Sequence, residues 1–317
     1  MAAFTIRHTT SFTYRQPVSF GVHYAMVRPR DGADQTVIDA DLHISPRPSQ
    51  VEWSQDTYGN HVAAIHFDGK ADHLHVESIV KVEQTLKNFA APEPFAENPW
   101  PFAHLLGRRP KLDEFLQPFH NDADGSIGAW AHRFMTDEQP ADLRDLLIKM
   151  THAIRRDFAY AIREAKGIQT PTETLGRRSG TCRDFAVLMI EALRLLGVAA
   201  RFVSGYVHVP RSPGEAPFAG STHAWVQAYV PGRGWVDFDP TNGITGNRDL
   251  IRVAVVRDPA DALPLHGTWY GEAADCLGMD VSVSVTHHEH GRDSGPLPRP
   301  LAPAWQAPSH APQFALA

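Results

Sequence analysis

The segment Gly180-Thr181-Cys182-Arg183-Asp184-Phe185-Ala186 opens a run in which Phe185, Leu188, Met189, Ala192, Leu193 and Leu196 recur at three- and four-residue steps before Gly197. That spacing draws one apolar stripe along a helix, and glycine is favoured just past a helix end. An amphipathic helix is predicted, with Cys182 in its first turn. Downstream the texture changes: residues 200–209, 224–230, 234–238, 251–256 and 281–285 are rich in β-branched and aromatic residues, as strands are. Upstream, Leu143, Leu146, Leu147, Met150, Ile154 and Phe158 mark a helix over residues 141–160, and residues 126–134 read as another. Helices first, then a mostly antiparallel sheet, is the order of an α+β fold.

The N-terminal part has a different period. Phe4, Ile6, His8 and Thr10 alternate with Thr5, Arg7 and Thr9, and residues 76–82 repeat the pattern. Turn clusters at Arg30-Asp31-Gly32 and Asp56-Thr57-Tyr58-Gly59-Asn60 cut this stretch into short strands, which predicts an antiparallel β-sandwich over residues 1–90. Pro92, Pro94, Pro99, Pro101 and Pro110 then interrupt regular structure, so residues 91–125 read as a linker. The second domain is expected over residues 126–290, and the Pro-rich residues 291–317 as a disordered tail. A chain of 317 residues exceeds the usual single core, in keeping with two domains.

With 43% hydrophobic and 21% charged residues the chain has a globular composition, and a net charge of −6 argues against coating nucleic acid or anionic lipid. No apolar run is long enough for a membrane-spanning helix. The two cysteines, Cys182 and Cys276, form neither a disulfide framework nor a four-cysteine zinc site. Together with an N-terminus lacking signal-peptide character, they predict a cytoplasmic protein. The expected partner is a peptide or protein substrate, with no nucleic acid or membrane partner, no cofactor and no metal. Asp122-Ala123-Asp124-Gly125 hints at a calcium loop, but His120 and Ala131 occupy ligand positions where carboxylates are needed.

Cys182 is the first candidate for chemistry, because a helix N-terminus stabilises negative charge on a sulfur and its free amides can hold a developing oxyanion. A thiolate nucleophile needs a proton partner, and His223 follows 41 residues on, in Ser221-Thr222-His223-Ala224-Trp225. A carboxylate to orient the ring is available 14 or 16 residues further, at Asp237 or Asp239. A hairpin turning at Pro231-Gly232-Arg233 brings either beside His223, and the period of two points both to one face, so alternation leaves the two open. Trp225 and Tyr160 read as core residues before they read as cleft or oxyanion groups. His208, His266, His287, His288 and His290 read as ordinary surface or core histidines. Residues 210–221 read as a loop able to cover a cleft.

Taken in order and spacing, Gly180-Thr181-Cys182-Arg183-Asp184-Phe185-Ala186, His223-Ala224-Trp225-Val226 and Gly234-Trp235-Val236-Asp237-Phe238-Asp239-Pro240-Thr241-Asn242-Gly243 resemble the transglutaminase-like superfamily, whose bacterial members are also described as cysteine proteases. The strand-rich first part, through Asp56-Thr57-Tyr58-Gly59-Asn60, is similar to the β-sandwich that precedes this core in bacteria. The resemblance implies a papain-like core of helices on an antiparallel sheet. It assigns the nucleophile to Cys182, the general base and acid to His223, and the orienting carboxylate to Asp239 over Asp237. Thr181 and Arg183 stand where the family more often has a branched apolar residue and Gln, which sets a cation beside the thiol. The implied reaction is acyl transfer from an amide through a thioester. Hydrolysis is preferred, since no calcium loop accompanies the core; protein-glutamine transamidation and an idle, peptide-binding scaffold are the alternatives.

Overall fold

The computed structural model describes residues 2–85, 110–135, 142–162, 167–209 and 222–288. Along the chain, β1 (Ala2–Ala25), β2 (Gln35–Ser45), β3 (Gln50–Gln55), β4 (His61–His66) and β5 (Lys70–Gln84) come first. Helices α1 (Pro110–Leu116), α2 (Ser126–His132) and α3 (Leu143–Asp157) follow, then β6 (Ala159–Tyr160), α4 (Pro171–Arg177), β7 (Ser179–Gly180) and α5 (Cys182–Leu195). Strands β8 (Ala200–Val207), β9 (His223–Val230), β10 (Gly234–Asp239), β11 (Ile244–Thr245), β12 (Leu250–Val256), β13 (Leu265–Tyr270) and β14 (Cys276–His288) complete the order. The α+β class and its antiparallel N-terminal sheet follow the expectation. No helix among the described residues is long and apolar enough to cross a membrane.

The first unit is one seven-stranded antiparallel sheet in the order β2-β5-β1-β4-β3, with β13 and β14 also on β1. Its spine is the 24-residue β1, whose even-numbered residues from Ala2 to Tyr14 are buried. The exposed step Arg15-Gln16-Pro17 breaks the register, because proline has no amide to give the ladder. Before the break β1 pairs with β5 and β14; after it, Val18 and Ser19 still pair with the start of β5, and the rest of the strand pairs with β4 and β13. The sheet thereby doubles over into two facing layers, and Leu42 and Ile44 of β2 pack against Ala25, Ala63 and Ile65 across the interior. The two turn clusters seen in the sequence are tied together: Arg30 donates to the Tyr58 carbonyl and to Asn60 Oδ1, each at 2.6 Å.

Two expected boundaries are corrected. Residues 264–288 belong with the N-terminal sheet and not with a core over 126–290, since β13 and β14 both pair with β1. A period of two announces a strand but not its partner; β1 offers two edges along its whole length, and β4 and β5 fill only one of them. Within the expected linker, residues 110–116 form α1, whose Leu112 and Phe115 are buried in the second unit. Residues 91–109, the loop at 210–221 and the tail at 291–317 lie outside the described residues.

The second unit is an antiparallel sheet in the order β11-β10-β9-β8-β12, with α5 packed on β8 and β9. The predicted stripe of α5 is buried, but so are Val187, Ile190, Glu191 and Arg194 on its other faces. The helix is enclosed rather than half-solvated, and its charged residues neutralise each other: Arg194 Nη1 meets Glu191 Oε1 at 2.7 Å. Glu191 Oε2 also accepts the amides of Phe119 and His120, and Arg194 donates to the Ala200 carbonyl. Buried charges need such saturation.

Candidate active site

Cys182 is the first residue of α5, and the residues around it explain its position. Thr181 is the N-cap, in extended conformation, and its hydroxyl forms a capping box with Asp184. The buried Asp184 carboxylate accepts the Thr181 amide at 2.8 Å, the Thr181 hydroxyl at 2.9 Å and the Gln169 amide at 2.7 Å. Gly180 is required by this packing, since a Cβ there would sit 2.8 Å from Asp184 Cβ and 2.9 Å from Gln169 Nε2. Each residue of Gly180-Thr181-Cys182-Arg183-Asp184 thus fixes where the sulfur emerges, among first-turn amides that a helix leaves unpaired. Arg183 turns aside: its Nη2 donates to the Pro259 carbonyl at 2.6 Å, and its guanidinium lies 5.0 Å over the Phe202 ring. Burial depresses that guanidinium, and the Cys182 and Asp184 charges work the other way.

His223 opens β9 and Asp239 ends β10. The hairpin turns through Gly232 at φ 80°, in the left-handed region glycine favours, and pairs Gly234 with Val230 and Phe238 with Val226. His223 Nε2 lies 2.8 Å from Asp239 Oδ2. The carboxylate is fully buried and further fixed by the Asn242 side chain at 2.7 Å and the Thr241 amide at 2.9 Å. Burial opposes charge on the imidazole, but the Asp239 carboxylate and a hydrogen bond to the Cys182 side chain outweigh it and raise the ring to about 10. Burial likewise works against charge on Asp239, yet His223, Asn242 and the Thr241 amide hold its carboxyl below the usual range. With Nε2 on Asp239, Nδ1 is the nitrogen left for the sulfur. The ring therefore carries its proton at neutral pH between a carboxylate and a thiol, an arrangement able to deliver that proton to a leaving group.

The ambiguity between the two aspartates is resolved by their partners. Asp237 Oδ1 accepts the Trp225 indole N–H at 2.8 Å and the Gln227 amide at 2.9 Å, while its Oδ2 meets Arg252 at 2.9 Å. All four of these side chains are buried, so Asp237 is consumed inside the sheet and Asp239 alone serves His223. Trp225 is fully buried and stacks on the His223 ring at 5.9 Å, backing it without exposing its indole N–H. Tyr160 is 53% exposed on β6, which pairs with Gly180; its ring packs edge-on to Phe185, and burial and then the Cys182 charge raise its phenol.

The other histidines singled out in the sequence lie elsewhere: His208 and His287 pack tilted against Phe4, His266 stacks on Tyr24, and His288 bonds Thr5, while His290 is outside the described residues. Cys276 begins β14, in the N-terminal unit, and packs against the apolar cluster there. Asp122 accepts the amides of Ile127 and Gly128, anchoring the start of α2. The roles of Asp184, Gln169 and Asn242 are not anticipated by the sequence pattern. Only Asp184 carries a local signal, the Thr-x-x-Asp spacing of a capping box. Gln169 and Asn242 act through loops, whose course no periodicity reveals.

Residues 4–83 match the bacterial transglutaminase-like N-terminal region, and residues 129–240 match the transglutaminase-like superfamily. An uncharacterized protein of Mycobacterium tuberculosis is 30% identical over 296 residues, covering 90% of this chain and 93% of its own length. The crystal structure of a proposed cysteine protease from Cytophaga hutchinsonii shares the fold, with a TM-score of 0.66 over 93% of each chain at 18% identity. A protein-glutamine gamma-glutamyltransferase of Pseudomonas aeruginosa is 35% identical over 101 residues, 29% of this chain and 14% of the relative. The chain belongs to the transglutaminase-like superfamily.

Proposed function

We propose that the protein is a cysteine-dependent acyl transferase acting on a carboxamide of a peptide or protein, and that it hydrolyses the acyl-enzyme. Cys182 Sγ attacks the carbonyl carbon as the thiolate, with the proton held on His223 and the first-turn amides of α5 facing the oxyanion. The C–N bond breaks as His223 gives its Nδ1 proton to the departing nitrogen, leaving a thioester on Cys182. Water then attacks the thioester carbonyl, the neutral His223 ring takes its proton, and the C–S bond breaks to release the acid and restore the thiolate beside the protonated ring. Asp239 keeps the ring oriented throughout and stabilises its charged form whenever it holds the second proton. The observation that carries this reading is the imidazole held 2.8 Å from the buried Asp239 carboxylate, with the Cys182 side chain near enough to help raise its titration. A reducing, cytoplasmic setting goes with it, supported by two free cysteines.

If a primary amine replaces water, the same first half gives transamidation, and the similarity to the Pseudomonas aeruginosa gamma-glutamyltransferase favours keeping that alternative. Incubation with a glutaminyl peptide and a labelled amine separates the two: free acid with little incorporation is expected, and incorporation without free acid would overturn the hydrolase preference. A Cys182→Ala variant with full activity would remove the assignment. A non-catalytic peptide-binding scaffold draws support from the burial of Cys182 and His223, each only 8% exposed. Unreactive Cys182 toward a thiol probe would favour that reading.

A further inference from the structure

Among the described residues, the two terminal strands of the N-terminal sheet, β2 and β3, are each paired on one side only. Between them lies an open groove of about 540 Å³. Ala40, Leu42 and Ile44 of β2 and Val51 and Trp53 of β3 line it. Leu42, Ile44 and Val51 also pack on the buried cluster beneath, so the floor is continuous with the core. Trp53 stays 47% exposed. An edge strand presents a row of unpaired N–H and C=O groups. A groove with such an edge on each side suits an extended segment, which bonds to the edges while alternate side chains meet the floor.

The charge in the groove narrows the occupant. Arg28 lines it half-buried, and among the described residues no carboxylate pairs with this guanidinium. Asp41 also lines the groove, but it is exposed and solvated. A partly desolvated guanidinium without a counter-ion is stabilised by an incoming carboxylate, with which it forms strong charge-assisted hydrogen bonds. We propose that the β2–β3 groove is a docking site for an extended peptide segment that carries an acidic side chain opposite Arg28.

The test adds end-blocked octapeptides of alternating valine and threonine, with one central glutamate, to the full chain; matched peptides carry glutamine instead. Amide hydrogen exchange should show protection of residues 40–44 and 50–55 by the glutamate peptides, with binding about tenfold tighter than for glutamine. Arg28→Gln should erase that preference, and Arg28→Lys, which keeps the charge, should retain much of it; a merely structural loss would not divide the two variants this way. Absence of edge protection at millimolar peptide, or equal binding of the glutamine series, overturns the proposal. So does protection that appears without peptide and rises with protein concentration, since the occupant would then be a second copy of this chain.

Discussion

Asp237 accepts the Trp225 indole N–H at 2.8 Å, and the same step along the hairpin, two residues further on one strand and two back on the other, gives the 2.8 Å contact of Asp239 with His223. One strand pairing builds two carboxylate contacts in parallel, one structural and one facing the thiol. The two aspartates should therefore fail differently. Asp237→Asn strands Arg252 inside the sheet and should cost about 3 kcal/mol of stability, read from denaturant unfolding, with the His223 titration little changed. Asp239→Asn should lower the His223 titration well below about 10, read by NMR of the ring, because the largest contribution holding its proton is gone.

Thiol labelling distinguishes the two cysteines. Cys182 should react with iodoacetamide faster than Cys276 at neutral pH, and His223→Ala should slow Cys182 while leaving Cys276 unchanged, as followed by mass spectrometry. Equal, slow labelling of both would count against the proposed chemistry.

Gly205 faces His223 across the β8–β9 ladder, and a Cβ there would meet the Ile251 carbonyl and, at 2.7 Å, the Trp225 ring. Gly205→Ala should cost about 2 kcal/mol through overpacking. It should also slow Cys182 labelling, because the displaced indole backs the His223 ring.

Two histidines give opposite pH dependences. Burial lowers His8 from 6.5 to about 4, so the unfolded chain takes up its proton first as pH falls. The stability it confers is complete above pH 6.5 and is lost down to pH 4, about 3 kcal/mol in all. His8→Gln should flatten that acid limb in urea unfolding midpoints. His223 is raised, so its contribution is complete below pH 6.5 and is lost as pH climbs through about 10. His223→Gln should flatten the alkaline limb instead.

The sequence by itself determined the elements that carry the site. The stripe from Phe185 to Leu196 located α5 and put Cys182 in its first turn, and the Pro231-Gly232-Arg233 turn located the hairpin that joins His223 to the aspartates. These are local properties: side-chain period and turn chemistry act within a few residues, and a reader of the chain sees them directly. Tertiary structure alone decided which strands share a sheet, so that β13 and β14 return to β1, and which aspartate faces the imidazole, since Arg252 and Trp225 claim Asp237 from positions that pattern does not connect. It also enclosed the polar faces of α5, where Glu191 and Arg194 satisfy each other. Pairing and burial depend on contacts between distant residues, and such contacts leave no period in the sequence.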